Sequence, residues 1–322
     1  MPGLPAPSPA HLHPPEDGRF PLQLVRHFLH WTCFALVAAG GVAGCSPVAS
    51  TPGSIRIVDD AGDTVALARP ARRVVSLIPA STELLFALGA GARVVGRTTW
   101  CDYPAEALAV PNLGDGLQPN LEAVLAATPD LVVLYHSTQN AAAAGQLRAH
   151  GIAVVQLATD RLADVPRHAR TLGTLLGRAE AADSLGARYA RALSGVDATD
   201  PRGPSVLILA WDQPPIAIGA GSFLSELVER AGGRNLFADL ASASAPVSLE
   251  AIAARNPDLI LVVGEEPPGF AARPEWQVVG AVRERRFVRV HGSEFSRPGP
   301  RSPSAIRALR TAISETRSAA AR

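Results

Sequence analysis

The chain contains no lysine: all 30 of its Lys/Arg positions are arginine, and alanine is abundant. That bias reads as GC-rich codon usage before it reads as chemistry. Net charge is also lacking, at +1, which excludes a nucleic-acid-binding surface sustained by excess positive charge. With hydrophobic residues at 47%, the chain is not short of apolar material, which excludes intrinsic disorder. Cysteine occurs three times, at Cys33, Cys45 and Cys101. The first two fall in a segment resembling a targeting signal, so the mature chain keeps one free thiol and no disulfide framework. Signatures of catalysis are absent too: no phosphate-cradling P-loop, no Gly-x-Ser-x-Gly elbow, no His-Glu-x-x-His and no dinucleotide fingerprint. The Gly219 to Ser222 run is a Gly-rich turn before a helix, and this chain is not expected to be an enzyme. Metal-ligand spacing is missing as well. Tyr103, His136 and His291 have the chemistry of axial ligands to haem iron and Cys101 that of a thiolate ligand, but each stands alone, so no metal site or resident cofactor is expected.

A basic patch at Arg26, His27 and His30 precedes the apolar run Trp31 to Gly41, followed by Val42-Ala43-Gly44-Cys45. The run is too short to span a bilayer, and small residues precede the cysteine as a signal peptidase requires. This is the pattern of a signal peptide ending in a lipobox, with Cys45 as the lipidated N-terminus and a membrane anchor. Residues 46–53, rich in Ser, Pro and Thr, form a tether. The first twenty residues are Pro- and His-rich and carry Glu16 and Asp17, unlike a signal n-region, and are expected to be a spurious extension upstream of the true start.

Beyond the tether, Ser54 to Leu67 predicts a hairpin around Asp60 to Asp63. Short β-branched strands then alternate with helices: strands at Arg73 to Ile78, Val94 to Gly96, Leu131 to Tyr135 and Val154 to Leu157, with helices between. Alternation of this kind predicts a parallel sheet with helices on its faces. From Leu162 to about Leu193, apolar residues recur at helical spacing, predicting one long connecting helix. The interior Gly173, Gly177 and Gly186 also allow a kink or two consecutive helices. After Asp200 to Pro204 the alternation resumes. The organisation is thus 1–45 signal and lipoprotein region, 46–53 tether, 54–161 N-terminal α/β lobe, 162–200 connecting helix, and 201–322 C-terminal α/β lobe.

The lobes carry a repeat. Leu121 to Leu131 (LEAVLAATPDL) matches Leu249 to Leu259 (LEAIAARNPDL) at an offset of 128 residues, the scale of one domain. Each copy predicts a helix capped by Asn120 or Ser248, then Pro-Asp and a buried strand. Glu122 and Glu250 point away from the sheet. Either they are favourable charges in a first helical turn, or they form a matched pair, one per lobe, that engages two arginines of a symmetric partner.

The stretches Arg73 to Glu83 (RVVSLIPASTE), Trp100 to Pro104 (WCDYP), Asn120 to Glu122 with Pro129 to Leu131, and Ser296 to Arg301 (SRPGPR) resemble those of periplasmic cobalamin-binding proteins of ABC importers. These belong to a wider family of iron-siderophore, haem and cobalamin receptors. The resemblance covers roughly Ile55 to Leu309. It implies two parallel-sheet α/β lobes joined by a rigid helix, a ligand in the cleft between them, and a permease dimer that Glu122 and Glu250 would dock onto through its arginines. It also implies a monomeric, extracytoplasmic, lipid-anchored receptor that takes a metal chelate and no nucleic acid. Cobalamin is the first expectation for the ligand, and a ferric siderophore or haem the alternative.

Ligands of open parallel sheets meet the loops at the carboxyl ends of strands. Loops 79–82, 99–103, 113–117, 211–215 and 293–301 are therefore the expected lining. Within them Ser81 is a polar contact, Trp100, Tyr103, Trp211 and Phe295 are candidates to stack on a flat macrocycle, and Arg297 and Arg301 to bind propionates, amides or phosphate. For any one of these a place in the core or on the surface is an equal alternative. Tyr103 before Pro104 also matches, through the resemblance, a ligand-contacting tyrosine of cobalamin binders.

Overall fold

A computed structural model describes residues 54–116, 118–264 and 268–320. The signal, lipobox and tether, including Cys45, lie outside the described residues, as does Leu117 of the expected cleft loops. The body opens with a hairpin of β1 (Ile55–Val58) and β2 (Thr64–Leu67), paired antiparallel. Its turn carboxylates dock it. Asp59 accepts the Gln156 N–H at 2.9 Å, and Asp60 accepts the Ala158 N–H at 2.7 Å.

The N-terminal lobe follows as β3 (Val74–Ser76), α1 (Pro79–Ala87), β4 (Val94–Arg97), α2 (Leu121–Ala126), β5 (Leu131–Tyr135), α3 (Ala141–Ala149) and β6 (Ala153–Leu157). Its four strands lie in the order β4-β3-β5-β6, all parallel. Such strands are covered on both faces, hence the unbroken apolar run LVVL in β5 rather than an alternation. The hairpin and α1 cover one face, and α2 and α3 the other.

The connecting region is two helices, not the single long one that its apolar spacing predicts: α4 (Asp164–Leu175) and α5 (Ala179–Ser194). Gly177 makes the break, with φ of +62°, a backbone that costs a side-chain-bearing residue more than glycine. Gly173 permits the close packing of the pair, because a Cβ there would meet the Ala182 Cβ at 2.5 Å. The pair still joins the lobes. Its buried face packs on the N-terminal core, Leu162 lies in the C-terminal core, and Leu193 touches both.

The C-terminal lobe contains β7 (Ser205–Asp212), β8 (Pro215–Ile218), α6 (Phe223–Arg230), β9 (Arg234–Asn235), β10 (Ser244–Pro246), α7 (Leu249–Arg255), β11 (Leu259–Val263), α8 (Gly280–Arg283), β12 (Phe287–Val290) and α9 (Ser302–Ala320). Strands β9, β7, β11 and β12 pair in parallel in that order, reproducing the N-terminal sheet, and β8 and β10 add an antiparallel extension. Helices α6 and α9 pack on one face and α7 and α8 on the other.

The sequence repeat now has a structural meaning. Each copy ends its helix with a left-handed residue, Thr128 or Asn256, both at φ of 44°. Each then places its Pro-Asp carboxylate at the start of the lobe's first parallel strand. Asp130 accepts the Arg72 and Arg73 N–H groups at 2.9 and 3.0 Å, and Asp258 accepts the Ser205 N–H at 2.7 Å. Backbone donors entering a sheet need such partners, so the motif pins chain entry in both lobes.

Candidate functional site

Loops at the carboxyl ends of the N-terminal strands face loops of the C-terminal lobe across a cavity of about 560 Å³. This is the size range of small-molecule sites. The N-terminal wall includes Trp100, Asp115, Tyr135, Gln139, Asn140 and Asp160; the C-terminal wall is Gly221 to Phe223, Ala243 and Ser296 to Pro298. Of the expected loops, 79–80, 100, 115–116 and 296–298 line it, and loop 211–215 does not. The loops after β5 and β6 were not expected, because they carry polar residues without an aromatic pattern and Tyr135 reads as the last residue of a strand.

Two of these additions carry chemistry. Tyr135 donates its hydroxyl to Asp160 at 2.7 Å; burial and that carboxylate push the phenol up to about 12, so it stays protonated and donating. Asn140, 4% exposed, donates its Nδ2 to the Tyr135 carbonyl at 2.9 Å, while its Oδ1 is buried without a partner. That oxygen is enclosed by the protein, and what Asn140 does here is hold the loop after β5 through its Nδ2.

The predicted contacts fare unequally. Trp100, 59% exposed, lines the cavity. Trp211, 60% exposed, does not line it, and donates its indole N–H to the Gln213 carbonyl at 2.8 Å. Two assignments are corrected by burial. Phe295, at 2%, belongs to the C-terminal core, and Ser81, at 0%, is enclosed within the first turn of α1. Neither presents a surface that a ligand can reach; a place in a loop at a strand's carboxyl end did not put them in the cavity lining. Tyr103 is 43% exposed and lies against the Arg301 guanidinium, 3.9 Å from its ring centroid, a cation–π contact that covers one face.

Arg297 and Arg301 are brought together by Glu83, a residue that the sequence reading passed over. Glu83 is 3% exposed, on α1 of the N-terminal lobe, while both arginines are in the C-terminal lobe. Its Oε1 accepts from Arg297 Nε at 2.8 Å and from an Arg301 terminal nitrogen at 2.7 Å, and its Oε2 from Arg301 Nε at 3.0 Å. Arg297 also donates to Asp102, to the Trp100 carbonyl at 3.2 Å and to Ser293 Oγ at 3.1 Å, and Arg301 pairs with Glu294. Burial raises the Asp102 pKa, but the hydrogen bond and charge of Arg297 outweigh it and hold the carboxyl below its ordinary value. Gly299 lets the loop approach, since a Cβ there would sit 3.1 Å from Glu83 Oε2. The Arg-Pro-Gly-Pro-Arg run is therefore a two-armed grip on a carboxylate of the other lobe. A second tie joins the lobes near the connecting helices, where Arg161 pairs with Glu226 and the Leu162 N–H donates to the same carboxylate at 3.2 Å.

Glu122 and Glu250 stand exposed in the first turns of α2 and α7, at equivalent places. Asn120 Oδ1 and Ser248 Oγ cap the two helices, each accepting an N–H at 3.1 Å. The backbone N–H of Glu250 and the Ser248 hydroxyl hold the Glu250 carboxyl below its ordinary value. Among the described residues neither glutamate forms a salt bridge. Nor do three His, Cys, Asp or Glu side chains gather anywhere among them as a metal ion requires.

With this geometry in view, the likenesses to known proteins fall in one group. The chain is 29% identical over 245 residues to the vitamin B12-binding protein of Pectobacterium carotovorum subsp. carotovorum (strain PC1), covering 74% of this chain and 86% of that protein. It is 28% identical over 298 residues to an uncharacterized ABC transporter substrate-binding lipoprotein, YvrC, of Bacillus subtilis (strain 168), covering 86% and 94%. Among solved structures, the periplasmic heme-binding protein RhuT from Roseiflexus sp. RS-1 in apo form superposes with a TM-score of 0.68 at 25% identity, covering 76% of this chain and 99% of that one. The model of the periplasmic binding protein family matches residues 74–293, most of the folded body. Two parallel-sheet lobes, a ligand-sized cleft between them and these matches together show that the chain belongs to the periplasmic binding protein family.

Proposed function

We propose that this protein captures cobalamin in the inter-lobe cleft and delivers it to the permease dimer of an ABC importer, as a monomeric receptor anchored outside the cytoplasm through lipidated Cys45. The observation that carries the ligand is the state of Arg297, the arginine in the cavity wall. Its Nε and one terminal nitrogen are taken by Glu83, Asp102 and Ser293, and its other terminal nitrogen gives one N–H to the Trp100 carbonyl, so a single N–H is left, without the fork that a carboxylate prefers. The facing wall presents acceptors, the Asp160 carboxylate and the side-chain oxygen of the exposed Gln139. Cobalamin's rim of carboxamides donates to such acceptors, and Trp100 offers a face to the corrin ring. Haem, with two propionates, meets a wall in which the one cation among the described lining residues, Arg297, is already paired. The names of the relatives support the class, since one is a vitamin B12-binding protein and another an ABC transporter lipoprotein.

A haem or a ferric siderophore is the second reading, favoured by the exposed phenol of Tyr103, which has the chemistry of an iron ligand. Isothermal titration of residues 51–322 with cyanocobalamin, haemin and ferric siderophores decides between them. Tight one-to-one binding of cyanocobalamin alone is the expected result. Binding of haemin or a siderophore without cobalamin overturns the ligand and leaves the receptor role.

The same proposal gives Glu122 and Glu250 the task of docking. Two exposed, unpaired carboxylates at equivalent points of two homologous lobes suit two arginines of a symmetric permease, where charge complementarity sets register and encounter rate.

A further inference from the structure

Resting on the cobalamin reading, we infer that the cluster around Glu83 is a charge filter as well as an inter-lobe tie. By neutralising Arg297 and Arg301 it turns the wall where the lobes meet against carboxylate-bearing ligands and in favour of amide-bearing ones. Three carboxylates, Glu83, Asp102 and Glu294, surround two guanidiniums, so the cluster keeps a net negative charge. Had the arginines been free, they would be forked donors suited to a propionate. Glu83 takes the fork of Arg301 and the Nε–H of Arg297 from inside the protein, at 2% side-chain exposure, where water screens its charge weakly, and Asp102 takes a terminal nitrogen of Arg297.

Burying this cluster is costly, and an apolar patch of equal volume would hold the lobes as well or better. Adhesion alone is therefore a poor account of it. What an apolar patch cannot supply is charge discrimination at the edge of the cleft. The cluster reaches the cavity through Arg297, a lining residue, and touches the exposed Tyr103 ring through Arg301. Polar recognition with built-in repulsion of the wrong ligand separates compounds that share one macrocycle, which apolar contact does not.

The test compares cyanocobalamin with its monocarboxylic acids, in which one peripheral amide is hydrolysed, by titration against the wild-type chain and the Glu83→Gln/Asp102→Asn variant. The pair shares ring, metal and shape, so the ratio of the two dissociation constants reports charge alone. The wild type is expected to prefer the amide by about tenfold or more, the scale of one incompletely screened charge, and the variant to lose most of that preference. Asp102→Asn alone, at a half-exposed side chain, gives a smaller shift of the same sign and carries the test should the double variant fail to fold. An unchanged ratio in a folded variant that still binds cyanocobalamin overturns the filter and leaves the cobalamin reading in place. A wild type that ignores corrinoids and takes haemin overturns that reading and the filter with it.

Discussion

The two lobes share a framework and divide the work. Both have four parallel strands in the same order, a left-handed residue ending the repeated helix, and an aspartate pinning the first strand. Yet the N-terminal lobe supplies most of the cavity's polar side chains, whereas the C-terminal wall is largely glycine, small residues, Phe223 and the ion-paired Arg297. The C-terminal lobe instead carries the extra antiparallel strands and the two arginines that reach across. The shared framework thus preserves what folds, and the lobes differ in the loops that line the cavity. Such loops diverge freely because the sheets do not depend on them.

The comparison is broken most severely at the feature the lobes still share outside their cores. Glu122→Ala with Glu250→Ala should abolish stimulation of the importer, measured as transport or ATPase activity with the reconstituted permease. Ligand affinity should stay within about twofold, since neither residue lines the cavity. Each single variant should lose part of the activity, and by similar amounts if the lobes dock symmetrically. Full transport in the double variant would refute the docking role.

A smaller effect sharpens the difference between the walls. Trp100 and Trp211 are equally exposed, one per lobe, and sequence gives no reason to rank them. The cavity contains only Trp100. Trp100→Ala should weaken cobalamin by about 2 kcal/mol, roughly thirtyfold, as loss of a central aromatic contact does, and Trp211→Ala by less than about twofold. Comparable losses at the two positions in titration would mean that the C-terminal wall reads the ligand as well.

These pairs show where local sequence is informative. Strands and helices were legible because burial on both faces writes continuous apolar runs, and because Leu-Glu…Pro-Asp recurs with its caps intact. The break at Gly177 was legible only as an option, since a glycine in a helical pattern fits a kink, a break or neither. Glu83 was hidden for a different reason. Its partners lie 214 and 218 residues away, beyond any periodicity. One local signal was available: it is the only charged residue of α1, a helix whose residues from Ala80 to Leu85 are all buried, and a lone carboxylate there requires a cationic partner. Phe295 misled in the opposite sense. Placed in a loop beside Arg297, it looked available, but its ring fills the core beneath α9.

The smallest expected effect separates the lobes by pH. Among the described residues the buried histidine is His168 on α4, 1% exposed and packed on the N-terminal core; the buried polar residues of the C-terminal lobe do not titrate in this range. Burial pushes the imidazole below its ordinary value of 6.5, and the charge of Arg167 adds to this against the opposing pull of Asp60 and Asp164. The ring is therefore neutral, and its contact with Asp60 Oδ2 at 2.9 Å is a hydrogen bond from Nε2–H rather than an ion pair. Because the folded pKa lies below the unfolded one, the unfolded chain binds the proton more readily as the solution is acidified. The stabilisation is complete above about pH 6.5 and is lost as pH falls from there toward the folded value. Asp60 stays ionised throughout: its burial is outweighed by Ala158, Arg167 and His168, its folded pKa is lowered, and its own contribution disappears only as pH falls through that lower value. Lowering the pH from 7 to 5 should therefore reduce the melting temperature and loosen hydrogen-exchange protection in α4 and the docked hairpin before the C-terminal sheet responds. His168→Gln, which keeps a donor for Asp60 without the titrating ring, should flatten that dependence; an unchanged slope would place the pH sensitivity elsewhere in the molecule.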